Sequence, residues 1–407
     1  MGSFTAMNLF RIVLKSLRQH ALSTAVTALS IALASGLLMS VWAVKDQSQA
    51  TFTGMTGGFD AVLGARGSKL QLILNAVFHL EQSPGNLAWQ DYFDAQKNPS
   101  IAVALPIAMG DNYHGYRLVG TLTNLFTQVE YAPGRRYTLA PGGRVFEMGY
   151  TEAVVGSFVA QRLGLKVGDH FHPFHGLLFD EAKEHAEDYV VVGILEPSNT
   201  PADRVVWIPL EGIQNMKGHS AQTATDISAV LLKLRSPMAG QTLGQIYNKK
   251  DGRLTFAWPI AQITAQLFDK IAWFDRVLAL VAWLVALVAV GSILASIYNS
   301  MNERRREIAI LRALGARRRT IFGAVVLEAA TISALGIVIG FGCYAAIMAG
   351  AAAVIRAQTG VVLHPFAWHA VMVWAPLGMI GLGALAGVVP ALKAYRTDVA
   401  ENLTPIS

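Results

Sequence analysis

The sequence predicts a membrane protein: four transmembrane α-helices, with a large α+β extracytoplasmic domain between the first and second spans. Three observations carry this. Hydrophobic side chains make up 53% of the 407 residues and charged ones only 15%, richer in apolar residues than an ordinary soluble domain. The apolar residues gather in four long runs, one near the start and three after residue 276. Charge divides the same way: residues 45–275 hold 19 Lys+Arg against 22 Asp+Glu, and the remainder holds 14 against 5. The formal net charge of +6 therefore lies beside the apolar runs. It reads as topology and lipid-headgroup contact, not as nucleic-acid binding.

Residues 1–20 are amphipathic. Arg11, Lys15 and Arg18 share one helical face while Phe10, Val13, Leu14 and Leu17 fill another, the pattern of a helix on the cytoplasmic membrane surface. Residues 21–44 carry no charge and reach about 36 Å as a helix, enough to cross a bilayer with tilt. The alternative, a cleaved signal peptide, has a shorter apolar region and is not followed by three more spans. The further spans are residues 277–299, 321–354 and 368–392, the last with Pro376 and Pro390 as kink points. Glu328 lies two turns inside the third span. It is either an interfacial carboxylate beside the basic turn or a functional intramembrane charge. Gly336-x-x-x-Gly340 and Gly383-x-x-x-Gly387 allow close helix approach, within the bundle or against a second chain.

Orientation follows from counting basic residues. Residues 301–320 hold seven arginines, and the three flanks 1–20, 300–320 and 393–407 together hold twelve basic side chains. The loop 355–367 has only Arg356, at the end of the third span, where it can snorkel outward. The positive-inside rule places both termini and the basic turn in the cytoplasm, and residues 45–276 on the far side.

That outer region contains no cysteine, Cys343 being the single one in the chain, so no disulfide framework or thiolate metal site is available to it. Its last part repeats apolar residues at Ile260, Ile263, Leu267, Ile271 and Phe274, spaced 3, 4, 4, 3. This is the rhythm of a helix packed along one partner, and it runs straight into the second span. With Lys45–Phe52 extending the first span, the two would form a paired stalk. The body reads as α+β: Tyr189–Leu195, Val205–Leu210 and Ala229–Leu234 are strand-like, and Glu152–Leu163 is helix-like, closed by Gly164. Leu70–Leu80 is either a core helix or an apolar surface for a lipid-like ligand. His170, His172 and His175 form a weak candidate for metal or haem, which Asp169 and Asp180 could complete. The competing reading is an unliganded loop, since the stretch contains Pro173 and no cysteine.

The motifs of catalysis are missing. Gly64-Ala-Arg-Gly67-Ser-Lys has the wrong spacing for a phosphate-binding loop, and neither His-Glu-x-x-His nor Gly-x-Ser-x-Gly occurs. The chain is expected to be no enzyme, to hold no cofactor and to draw energy from a partner.

The basic turn reads Glu303-Arg304-Arg305-Arg306-Glu307-Ile308-Ala309-Ile310-Leu311-Arg312-Ala313-Leu314-Gly315-Ala316-Arg317. It resembles the cytoplasmic coupling loop of the FtsX/MacB-type (type VII) permeases of ABC transporters, with a LolC/MacB-like architecture. Asn8–Leu17, Thr151–Asp169, Val190–Leu195 and Pro390–Arg396 are similar to other parts of that family in order. The tail Asp398–Leu403 departs from the family's usual Pro-x-Glu-Ala-Leu. The resemblance implies a bacterial inner-membrane permease with a periplasmic outer domain. It implies two copies of a cytoplasmic ABC ATPase, which bind ATP and Mg, and a second permease chain, identical or homologous. A periplasmic adaptor or substrate-carrier protein and membrane lipid are further partners of such systems; nucleic acid is not. ATP-driven motion would pass to the outer domain, a mechanotransmission that exports or extracts an amphiphilic substrate: lipoprotein, lipid, peptide or hydrophobic drug. The alternative is an FtsX-like signalling protein controlling a cell-wall hydrolase. In that setting residues 302–314 form a short helix ended by Gly315. Ile308, Ile310, Leu311 and Leu314 offer apolar contact to the ATPase, and Glu303, Arg306, Glu307 and Arg312 offer ion pairs at its rim.

Overall fold

The computed structural model describes residues 2–216, 226–249, 252–303, 305–313, 316–359 and 362–396. Within them, the side chains of residues 2–9, 12, 267, 271, 272, 274, 275, 305–307, 311, 358, 359, 394 and 396 lie outside the description. Two compact units emerge: a helical one built from the chain up to Ser48, Ala272–Val354 and Leu363 onward, and an outer one built from Gln49–Ile271 with Ile355–Val362.

The helical unit draws on helices Gly2–Gln19, Ala21–Gly54, Ile260–Glu303, Arg305–Ala313, Arg318–Thr359 and Val371–Arg396. Among the described residues, four stretches are long and apolar enough to cross a membrane: Ala21–Gly54, Arg276–Glu303, Arg318–Ala357 and Val371–Lys393. Small residues line the interior, including Ala34, Ala286, Ala289, Ala329, Ala386 and Ser333. Large ones such as Leu287, Val288, Val338 and Leu385 point outward. That inversion suits lipid: apolar side chains gain nothing by hiding from hydrocarbon, and close backbone approach supplies the packing energy instead.

The outer unit is built on a ten-stranded mixed sheet. Its strands run in the order Leu254–Ala257, Ala61–Ala65, Ala229–Leu234, Ile101–Tyr113, Tyr116–Thr121, Val206–Pro209, Glu152–Val155, Tyr189–Ile194 and His170–Phe171. The short strand Phe174–His175 pairs separately with Ile101–Tyr113. Two pairings are parallel, Tyr189–Ile194 with Glu152–Val155 and Val206–Pro209 with Tyr116–Thr121. Both faces are covered. Leu63, Leu118, Val206 and Ile208 belong to one buried cluster, and their neighbours Val62, Val119 and Trp207 belong to another. A strand buried on both faces needs no polar alternation, which is why Tyr189–Ile194 is apolar throughout.

The strand-like runs at Tyr189, Val205 and Ala229 fall on sheet strands. Leu70–Leu80 resolves as core: in helix Lys69–Ala76 the side chains of Leu72, Ile73 and Ala76 are fully buried. Glu152–Leu163 requires correction. Glu152–Val155 is a strand, and helix begins only at Ser157, ending at Gly164 in the left-handed conformation at φ 71°. Two turns of helix cannot bury Ala153, Val154 and Val155 together, whereas a central strand does.

His79 is a polar side chain taken almost wholly out of water, at 8% exposure. Its backbone is left-handed at φ 56°, its ring meets Trp207 edge-on at 5.7 Å, and its carbonyl accepts from Arg117 Nε at 3.3 Å. Burial first, then the Arg117 charge, holds its pKa down at about 3. Between that value and the unfolded value of about 6.5 the unfolded chain binds the extra proton, so stability is present above pH 6.5 and drains away as pH falls. At pH 5 the loss is about 2 kcal/mol. The melting temperature of the purified full chain should therefore drop on acidification from pH 7 to 5. His79→Asn, which tolerates the left-handed backbone, should flatten that drop; an equal drop in the variant would remove His79 as its source.

Candidate functional site

The basic turn is built as predicted in kind but not in every contact. Helix Arg305–Ala313 follows the helix ending at Glu303 and precedes the one starting at Arg318. Ile308 is a correction to the sequence reading. With Ala309 it is buried, in one cluster with Met301, Ile321 and Val325, so it anchors the turn to its own bundle and presents no free apolar surface. Ile310 is 43% exposed and does present one. Glu303 meets His20 Nδ1 at 3.3 Å. Arg304, Leu314 and Gly315, and the side chains of Arg305, Arg306, Glu307 and Leu311, lie outside the described residues, and with them the Gly315 helix end. Ala316 is half-buried, Arg317 exposed and Arg312 half-buried. Further contacts draw helix ends together: the Arg318 guanidinium sits 5.5 Å over the Tyr395 ring, and Lys393 lies 4.0 Å over that of Tyr298. With the His20–Glu303 pair, they gather one end of all four spans around the turn.

Glu328 is buried within the protein. It is 8% exposed and accepts a hydrogen bond from the Ser16 hydroxyl, itself 1% exposed. The N-terminal helix is therefore tied to the third span through Ser16, and its Val13 is buried, while Arg11, Lys15 and Arg18 stay exposed.

The four spaced glycines pack within the chain. A Cβ on Gly336 would stand 2.7 Å from that of Ile31, and one on Gly387 would stand 2.6 Å from that of Ala329. Gly340 faces Ala32 and Ser35, and Gly383 faces Ser333. The first span thus lies against the third, and the third against the fourth, at near backbone contact. At the opposite end, Gln47 joins the first span to the segment before the fourth, donating to the His364 carbonyl at 3.0 Å and accepting from His364 N–H at 2.9 Å.

In the outer unit, Ile260 and Ile263 are buried in the domain core with Phe59 and Val129. This corrects the stalk reading at those two positions: they close the sheet's core and do not face a second helix. The side chains of Leu267, Ile271 and Phe274 lie outside the described residues. Phe268 and Phe52 do meet, with ring centroids 5.9 Å apart, so the two helices touch where they enter the outer unit. The three predicted histidines are not brought together. His170 Nδ1 pairs with Asp188 at 2.8 Å and His172 Nδ1 lies 3.1 Å from the Glu187 carbonyl oxygen. Asp169 and Asp180, offered as extra ligands, instead accept from the backbone N–H groups of Lys166 and Ala182.

Comparison with known proteins agrees with this architecture. The family model of the MacB-like periplasmic core domain matches residues 24–245, and that of the FtsX-like permease C-terminal domain matches residues 279–399. An uncharacterized ABC transporter permease of Mycobacterium tuberculosis is 26% identical over 230 residues, 55% of this chain and 57% of that protein. The macrolide export ATP-binding/permease protein MacB of Brucella melitensis is 26% identical over 240 residues, 54% of this chain and 35% of its own length. The extracellular domain of the noncanonic ABC-type transporter YknZ, from Gram-positive bacteria, aligns at 14% identity with a TM-score of 0.30, over 48% of this chain and 99% of that domain. The matched stretch thus spans less than two thirds of either full-length relative.

Glycine packing gives a direct test. Gly336→Leu forces side-chain atoms into Ile31 and should destabilise the purified full chain in detergent by about 1–3 kcal/mol, the usual cost of overpacking. Gly350→Ala, whose added Cβ meets nothing within 4 Å, should leave the melting temperature unchanged. Equal melting of both variants would disprove the intrachain seam.

Proposed function

Because this chain belongs to the FtsX/MacB-type family of ABC transporter permeases, we propose that it is the membrane-spanning partner of a separate cytoplasmic ABC ATPase. It passes ATP-driven motion to its outer domain, which handles an amphiphilic substrate on the far side of the membrane. Two ATPase copies and a second permease chain complete the assembly, ATP and Mg being bound by the ATPase. The basic end of the bundle, with both termini, faces the cytoplasm, as the excess of arginine there favours.

The observation that carries this reading is one helix. Ile260–Glu303 is continuous over 44 residues, about 66 Å of rise. It begins with Ile260 buried in the outer domain's core and ends at Glu303, beside the basic turn. A displacement applied to the turn therefore has a hydrogen-bonded path to the outer sheet. Ile308 fixes the turn to the bundle and Ile310 remains available for an apolar groove in the ATPase. Charged residues around it add rim pairs worth at most about 1 kcal/mol each, so the apolar contact should dominate affinity. The kinship with a macrolide exporter supports a hydrophobic or amphiphilic substrate and fits extraction from the outer leaflet.

Ile310→Asp should cut co-purification of the ATPase at least about tenfold, the effect of losing roughly 1.4 kcal/mol. Membrane insertion and melting temperature should stay as they are. Undiminished co-purification with normally stimulated ATP hydrolysis would sink the coupling role of this turn.

A further inference from the structure

One cluster of metal-ligating side chains stands apart from the membrane mechanism. Asp111 belongs to the long strand Ile101–Tyr113 and is fully buried, at 0% exposure. A buried carboxylate is costly unless its oxygens find partners. Two imidazoles stand beside it: His175 Nδ1 and His185 Nε2 each lie 3.3 Å from the same oxygen, Asp111 Oδ1. His175 comes from the strand register Asp111↔His175, and His185 from the segment just after the turn Glu181–Lys183. The three ligand atoms all fall within 4.8 Å of one another.

We propose that Asp111, His175 and His185 form a binding site for a divalent transition-metal ion of zinc's class. The distances fit an ion better than they fit a proton. Charge-assisted hydrogen bonds between nitrogen and carboxylate close to about 2.7–2.9 Å. Ligands about 2.0–2.1 Å from a tetrahedral zinc are separated by about 3.3 Å along each edge. The two rings are 5.3 Å apart and turned 74° from each other, as suits ligands approaching different vertices. Two nitrogens and one oxygen are a borderline donor set that selects zinc-like ions over magnesium or calcium.

The surroundings support the ligands. Metal-bound imidazoles commonly turn their other nitrogen toward a carboxylate, and His185 Nδ1 faces Glu187 Oε2 at 3.9 Å. Asn112, buried beside Asp111, donates to the carbonyls of Phe174, Gly176 and Leu178 at 3.3, 2.8 and 3.2 Å. The loop bearing His175 is thereby held on the strand before any ion arrives. Three protein ligands leave one position for water or for a group from a docking molecule. The ion would fasten the Phe174–His185 excursion to the sheet, and this role is independent of the transport reading.

The test uses the tag-free full chain in detergent, stripped with EDTA and then given zinc chloride or cobalt chloride. One zinc per chain should remain after gel filtration, and cobalt should give the intense visible bands of a four-coordinate site. His175→Ala, at a half-exposed ring, should weaken zinc binding at least about 100-fold, beyond what loss of an outer partner costs. Asp111→Asn should do the same, and His175→Ala decides alone if that variant does not fold. The double variant His170→Ala with His172→Ala should bind as the native chain does, and zinc should raise the melting temperature of the native chain. No zinc retained, equal retention by His175→Ala, or loss in the His170/His172 double variant would each overturn the site.

Discussion

The architecture depends on the continuity of one helix, Ile260–Glu303. It has every interior backbone group bonded within itself, so it passes from the outer domain's core into an apolar span without exposing a polar group. Its composition changes along the way and its hydrogen bonding does not. Ile260 and Ile263 are fixed by the outer sheet's core, whereas Ala286, Ala289, Ile293 and Ile297 are fixed by the bundle. A chain break or glycine-rich linker between those two sets would let each unit move alone. Neither interrupts the helix between Ile263 and Ala286, and the proposed transmission to the outer domain rests on that continuity.

Close packing holds the spans to one another. The first span meets the third at Gly336 and Gly340, and the third meets the fourth at Gly383 and Gly387. Added methyl groups at these positions would meet atoms of the neighbouring helix, so the three helices are packed at near backbone contact. Glu328 and Ser16 extend that packing to the N-terminal helix. The carboxylate is tolerated because a hydroxyl from the same chain satisfies it, and the basic face of the N-terminal helix stays free for lipid headgroups or a protein partner.

Much of this was legible in the residues, and the exceptions have physical reasons. Hydropathy located the spans but marks apolar runs, not helices. Helix Ala21–Gly54 continues through Lys45, Asp46 and Gln47 because its backbone bonds do not depend on side-chain polarity. The strand Ile101–Tyr113 was hidden by Pro106 and Gly110, residues that argue against a central strand. Pro106 is accommodated opposite Val230, with its carbonyl taken by the Thr121 hydroxyl at 3.0 Å, and the register shifts near Gly110. The amphipathic turn was legible as a helix, but not which apolar side chain it would keep for its own bundle. Ile308 and Ile310 differ only in the face that tertiary packing selects. The histidine run gave no sign of the contacts that His175 makes. His175 acquires Asp111 through strand pairing and His185 through a return of the chain, neither of which local spacing encodes.

The most direct measurement is hydrogen exchange on the reconstituted transporter, with and without a trapped nucleotide. It should compare the native chain with one carrying a Gly-Ser insertion beside Ala272. A lever predicts that nucleotide changes exchange both in the basic turn and in the outer sheet of the native chain. In the insertion variant the turn should respond as before and the sheet should not respond at all. A nucleotide-dependent change in the sheet that survives the insertion would contradict mechanical transmission through this helix.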